Sequence, residues 1–204
     1  MNPLDKLISH FEGFPGVGGR QAKRFAFHVL TMQQTKASEL SDLITAARTA
    51  MVSCKSCYRF FNRRQAEETC SICSSQNRNH ARLLVVERDS DIVAMERAGA
   101  YDGLYFVLGG TVPLLSSPDN SKLRSGALKS TISSRIDNNN LSELILGFSV
   151  NPDGENTARF VESMLQEQVA AGLKISYLGR GLSTGSELEY ADAETIKNAL
   201  SNRT

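Results

Sequence analysis

The sequence predicts an α/β protein: a central parallel sheet with flanking helices, preceded by a small all-helical unit and a four-cysteine metal module. Three observations predict it. From residue 82 onward the short apolar runs LLVVE, LYFVL, LILGF and KISYL alternate with segments of helical length, the pattern of βαβ units. All four cysteines fall between residues 54 and 73 as two CxxC pairs. Residues 1–52 show only helical periodicity.

The elements follow in order. Pro3 suits a first helical turn, and Leu4, Leu7, Ile8 and Phe11 continue at helical spacing until Gly13 interrupts. The stretch FPGVGGRQAKRFAFHVL, residues 14–30, breaks sharply and then resumes as a helix from about Gly19 to Leu30, with Ala22, Phe25, Ala26 and Val29 on one face. Ser38 is read as the cap of a third helix carrying Leu40, Leu43, Ile44, Ala47 and Met51. Between the strands, helices are expected at Asp91 to Ala98, roughly Ser121 to Ile136, and Thr157 to Ala171. A glycine- and serine-rich tail runs from Gly179 to Tyr190, with a last short helix from about Asp192.

Composition narrows the classes. At 41% hydrophobic and 22% charged residues the chain is ordinary for a globular protein. No apolar run approaches the roughly 18–20 residues of a membrane span. The N-terminus carries Asp5 and Glu12 and lacks a signal-peptide core, so a cytoplasmic location is expected. The net charge of +1 conceals a split. Residues 1–82 hold 12 Lys/Arg against 6 Asp/Glu, and the remainder holds 11 against 16. That asymmetry fits a polyanion-facing N-terminal part, or simply unevenly solvated faces.

Cys54-x2-Cys57 and Cys70-x2-Cys73 can bring four thiolates to one tetrahedral point, which zinc accepts. An iron–sulfur centre or free thiols are the other readings. With four protein ligands the metal would be structural. The intervening Tyr58, Arg59, Phe60, Phe61, Asn62, Arg63 and Arg64 either touch nucleic acid or pack a mini-core beneath solvated arginines.

Gly16-Val17-Gly18 between two helices fits a helix-hairpin-helix. Glycine lets the hairpin press on a phosphate backbone, helix N-terminal amides favour an anion, and Arg20, Lys23 and Arg24 add charge. Phosphate contacts of this kind carry no sequence information. A plain tight turn is the alternative. Glu87, at the end of LLVVE, and the pair Asp153 and Glu155, after LILGF, are expected at the carboxyl ends of parallel strands, where α/β sheets bind ligands. Three carboxylates there can hold magnesium; a strand-end charge and a turn are the other reading.

The ordered set PGVG…AFHVL, a four-cysteine site, a strand ending VVE, YFVLGG, DGExTA and a closing GxSTGxELEYADxxT resembles the bacterial RecR family of recombination mediators along nearly the whole chain. The resemblance implies a Toprim fold for the central sheet, and a C-terminal oligomerisation arm. It implies the division 1–53 helix-hairpin-helix, 54–78 zinc finger, 79–178 Toprim and 179–204 assembly segment. It matches Glu87, Asp153 and Glu155 to the Toprim acidic positions, serving a partner or a weakly held magnesium. It matches Arg20 and Arg24 to the basic hairpin positions, with Lys23 between them.

The same resemblance implies no catalysis. Members form ring-like homo-oligomers, here expected to be tetrameric, that clamp single- and double-stranded DNA without sequence preference. With RecO, and in some settings RecF, they help load RecA onto DNA coated by single-strand-binding protein. The chain departs from the family pattern between Thr111 and Leu123, before the acidic pair at Asn151-Pro152, and at Arg180 to Ser183. An active Toprim enzyme, nuclease or primase-like, and a zinc-stabilised RNA-binding module are the other function classes.

Overall fold

In the computed structural model of the 204-residue chain, residues 1–63, 66–114, 123–139, 141–179 and Thr195 are described. The chain divides into two compact units, Met1–Val52 and Ser53–Thr204. The tail from Arg180 to Thr204, apart from Thr195, lies outside the described residues, as do Arg64 and most of the departing segment after Leu114.

The first unit contains α1 (Pro3–Glu12), α2 (Gly19–Thr31) and α3 (Gln34–Ala50). Asn2 caps α1 by accepting the Asp5 N–H at 2.8 Å, while the Asp5 carboxylate accepts the Asn2 N–H at 3.3 Å, a reciprocal box. Ala22 and Ala26, both fully buried, are small enough to seat α2 closely against α1. At the mouth of this pair Phe11 meets Phe14 and Phe25 edge-on, with centroids 5.7 and 5.8 Å away. The third helix differs from the sequence expectation. Ser38 lies inside α3 rather than at its start, because no glycine or proline stands between Met32 and Ser38 to stop the helix beginning at Gln34. Its apolar residues are also not covered: Leu43 and Ile44 are each 58% exposed.

Two short strands that the periodicity did not signal come next along the chain. β1 (Met51–Ser53) and β2 (Phe60–Asn62) form a two-stranded sheet beside the cysteines. The main sheet comprises β3 (Asn79–Val86), β4 (Gly103–Val107), β5 (Glu143–Gly147) and β6 (Lys174–Tyr177), in the order β4-β3-β5-β6. The pairings β3–β4, β3–β5 and β5–β6 are all parallel. Leu83 to Val86 and Leu104 to Val107 are at most 1% exposed, as strands covered on both faces must be. The covering helices are α4 (Asp89–Ala98), α5 (Ser125–Asn139), α6 (Pro152–Met164) and α7 (Gln166–Ala170). Right-handed crossovers place α4 on one face and α5 and α6 on the other. On that second face Lys129 of α5 pairs with Glu167 of α7 at 3.6 Å.

The helix expected from Thr157 to Ala171 is two helices, and it begins earlier. Asn151 caps α6 by accepting the Gly154 N–H at 2.8 Å, and Pro152 occupies the first turn. Asp153 and Glu155 therefore sit in the first turn of a helix, where its dipole favours them. At Leu165, with φ −108° and ψ 16°, the chain leaves helical geometry before α7.

The cysteine module is fastened to β4, the outer strand on its side of the sheet. The Val107 N–H donates to the Cys57 carbonyl at 2.8 Å. The Phe60 N–H donates to Asp89 Oδ1 at 2.6 Å. Tyr58, in a left-handed conformation with φ 63°, lays its ring 5.2 Å from Phe106, and the Arg124 guanidinium lies 5.5 Å above the same ring. Phe61 is 8% exposed and Phe60 is 51% exposed, so the mini-core takes Tyr58 and Phe61 and leaves Phe60 at the surface.

Past the cysteines, Arg78 forms a two-pronged ion pair with Glu96 of α4, with Nη1 to Oε1 at 2.9 Å, and Tyr105 donates to the same Oε1 at 2.6 Å. Burial pushes the Glu96 carboxyl up, but the guanidinium and the phenol outweigh it and hold the group below its usual value. A depressed carboxyl contributes its stability in full above about pH 4.5 and loses it as pH falls. Arg78→Ala should lower unfolding free energy by about 2–3 kcal/mol. In urea melts taken from about pH 5 down to about pH 2, the wild type should lose more stability than this variant; identical acid slopes would remove the ion pair from the account.

Candidate nucleic-acid interface, metal centre and acidic crevice

At the hairpin, Gly16 takes φ 77°, which side-chain-bearing residues rarely adopt, and the Val17 N–H closes the turn on the Phe14 carbonyl at 3.0 Å. Gly18 is a different case. It caps α2 at an ordinary φ of −85°, and a Cβ there would meet nothing within 4 Å. Nothing inside the chain requires glycine at this position; it leaves the approach to the N-terminus of α2 open, and no side chain caps that terminus.

Arg20, Lys23 and Arg24 are exposed on the first turns of α2. Helical spacing brings Phe27 and His28 onto the same side. Lys23, Arg24, Phe27 and His28 line an open groove of about 620 Å³, with Phe27 54% exposed. Sequence reasoning missed these last two because it followed the buried stripe of α2. The signal available was an aromatic one turn beyond three cations, off the buried face.

The four cysteine sulfurs lie within 4.8 Å of one another. The Cys57 and Cys70 sulfurs are 3.7 Å apart, close to the roughly 3.8 Å that a tetrahedron of thiolates about 2.3 Å from a metal requires. The Cys70 N–H points at Cys54 Sγ from 3.3 Å. The four thiols hydrogen-bond one another, which holds the Cys54 thiol below its ordinary range and pushes Cys57 and Cys73 above it, so the set shares its protons until a metal displaces them. The donor set can hold a metal ion, and its four sulfurs leave no open coordination position.

The acidic residues are arranged otherwise. The strand order reverses between β3 and β5, which opens a crevice at their carboxyl ends. Glu87, 7% exposed, enters it and accepts the Ser149 N–H at 2.7 Å. Asp153 Oδ1 accepts the Leu114 N–H at 2.9 Å. Gly154 is pressed so tightly on the Ser149 carbonyl that a Cβ would come within 1.9 Å of it. Among the described residues, the cysteines are the one group of three or more potential ligands this close together. Glu87, Asp153 and Glu155 are thus neighbours around one crevice rather than a gathered trio, and two of them hold the loops that border it.

The amino-acid sequence matches three family models: "RecR, helix-hairpin-helix" over residues 4–48, "Toprim domain" over 81–179 and "RecR, C-terminal" over 181–204. It is 33% identical over 204 residues to recombination protein RecR of Streptococcus thermophilus, covering 99% of this chain and 96% of that one. It is 34% identical over 202 residues to the protein of that name from Lactobacillus acidophilus, and 34% identical over 204 residues to that from Prochlorococcus marinus, with the same coverage.

A structural metal contributes folding free energy to its own segment. Cys57→Ser should lower bound metal from about one ion per chain to a small fraction, with a lower melting temperature, read by elemental analysis and calorimetry. Metal-replete wild type with no stoichiometric metal would show that the quartet binds none.

Proposed function

This chain belongs to the RecR family of recombination proteins, and we propose on that footing that it is a DNA-binding mediator of recombinational repair, acting in the cytoplasm without catalysing a reaction. The observation that carries the reading is the N-terminal face of α2. An uncapped helix terminus, a glycine that nothing inside the chain requires and three exposed cations together suit a phosphate backbone. In this reading Gly16, Gly18, Arg20, Lys23 and Arg24 contact DNA, single- or double-stranded, without reading sequence.

The rest of the proposal follows the family. Zinc is the metal held by Cys54, Cys57, Cys70 and Cys73, since the quartet is all thiolate and fits a tetrahedron. The chain functions as 1–53 helix-hairpin-helix, 54–78 zinc finger, 79–178 Toprim domain and 179–204 assembly segment. It closes as a ring, tetrameric by family resemblance, that acts with RecO, and where present RecF, to load RecA onto single-stranded DNA. The uncovered apolar side chains of α3 support assembly, since Leu43 and Ile44 leave surface that a second copy would cover. Glu87, Asp153 and Glu155 serve partner docking or a weakly held magnesium.

An active Toprim enzyme is the competing reading, favoured by carboxylates at the switch point of the sheet. Against it, Glu87 and Asp153 are already bonded to backbone amides. Magnesium-dependent cleavage or primer synthesis by the wild type, abolished in Glu87→Ala, would decide for the enzyme.

The double change Arg20→Ala and Arg24→Ala should weaken binding equally on unrelated DNA sequences and flatten the plot of log K against log salt by about two units. Unchanged affinity and slope would reduce the hairpin to a turn. Deleting residues 179–204 should give smaller species that bind DNA poorly despite an intact hairpin, because linked sites gain from effective concentration; full affinity in a truncated monomer would refute the ring.

A further inference from the structure

A buried arginine stands beside the metal centre without an acidic partner. Arg135, on α5, is 9% exposed. Its guanidinium donates through Nη2 to Ser56 Oγ at 2.7 Å, and among the described residues no carboxylate pairs with it. Ser56 stands between Cys54 and Cys57 in the first knuckle. Arg135, Ser56 and Cys73 line one open cavity of about 420 Å³, completed by His80 of β3 and the hydroxyls of Ser130, Thr131 and Ser134 on α5. An arginine cannot shed its proton, and burying an uncompensated cation is costly. A fold that holds this side chain here needs a negative charge near it.

The metal centre supplies one. Four thiolates around a divalent ion leave a net charge of −2, set in a mostly buried pocket where charges interact strongly. The other cation of the knuckle, Lys55, is already paired with Glu68 at the surface. We propose that Arg135 is the counter-charge of the metal–thiolate cluster. It is delivered from the Toprim part of the chain and aimed by Ser56, and it raises the affinity of the quartet for its metal. The inference rests on the metal reading above and extends it to a residue outside the cysteine segment. It makes metal retention depend on the folding of α5, 79 positions away in sequence. An inorganic anion is the other candidate for the cavity, but it would lie beside Cys73 and a doubly negative cluster.

The test uses the full chain as wild type, Arg135→Gln, Arg135→Lys and Ser56→Ala. Metal content comes first: wild type without bound metal would sink the metal reading itself, and this inference with it. Given bound metal, chelator competition should show affinity about 10- to 100-fold weaker in Arg135→Gln, with most of the loss recovered in Arg135→Lys. In the cobalt-loaded proteins the thiolate-to-metal absorption band should shift in the glutamine variant and return in the lysine variant, which a purely structural role would not produce. Wild-type affinity and spectrum in Arg135→Gln would overturn the proposal while leaving the metal reading intact. So would a melting temperature raised by inorganic phosphate in wild type alone, with metal affinity unchanged, which would mark an anion pocket. Should the glutamine variant not fold, Ser56→Ala decides: faster metal release than wild type supports the counter-charge, and an unchanged rate overturns it.

Discussion

Convergence of four sulfurs on one point is the constraint from which the second unit of this chain is organised. The segment from Cys54 to Cys73 is too short and too polar to build a core of its own; apart from the cysteines, Phe61 and Ile72 are the only buried side chains among its described residues. Once the knuckles are fixed, the carbonyl of Cys57 faces the amide of Val107 and the Tyr58 ring reaches Phe106. The outer edge of the sheet is thereby occupied by the module rather than by solvent. Arg78, immediately downstream, then ties the start of β3 to α4 through Glu96 and Tyr105. Cysteine clustering and the attachment of this segment to the sheet are two aspects of the same local geometry.

The acidic crevice shows how one residue type serves position before chemistry. Glu87 reaches across from the end of β3 to an amide beyond β5, and Asp153 reaches from α6 to the loop beyond β4. Each accepts an N–H from a loop that borders the crevice and so fixes that loop in place. Gly154 completes the arrangement by letting α6 begin against the Ser149 carbonyl. In this Toprim scaffold two of the acidic residues thus set the shape of the crevice.

The sequence made much of this legible. The short apolar runs located all four main strands, most plainly β4 and the Leu83 to Val86 half of β3, which are buried on both faces and so apolar throughout, and the paired CxxC spacing located the cysteine cluster. The start of α6 lies upstream of the Thr157 that periodicity indicates, and Asn151-Pro152 carries the capping signature that marks it. The break at Leu165 has no glycine or proline to announce it. Arg135 was invisible for another reason: its partner lies in a segment distant in sequence, and periodicity reports neighbours along a helix rather than across a fold. Phe27 lies off the buried stripe of α2, so the periodicity of burial does not mark it.

The helical unit raises a different physical matter. Of its 52 residues only Ala22 and Ala26 are fully buried, and two methyl groups exclude little water. A fold so thinly cored gains little free energy from its own interior, so any partner that covers its exposed apolar side chains, Leu43 and Ile44 among them, would stabilise it in step with the logarithm of that partner's concentration.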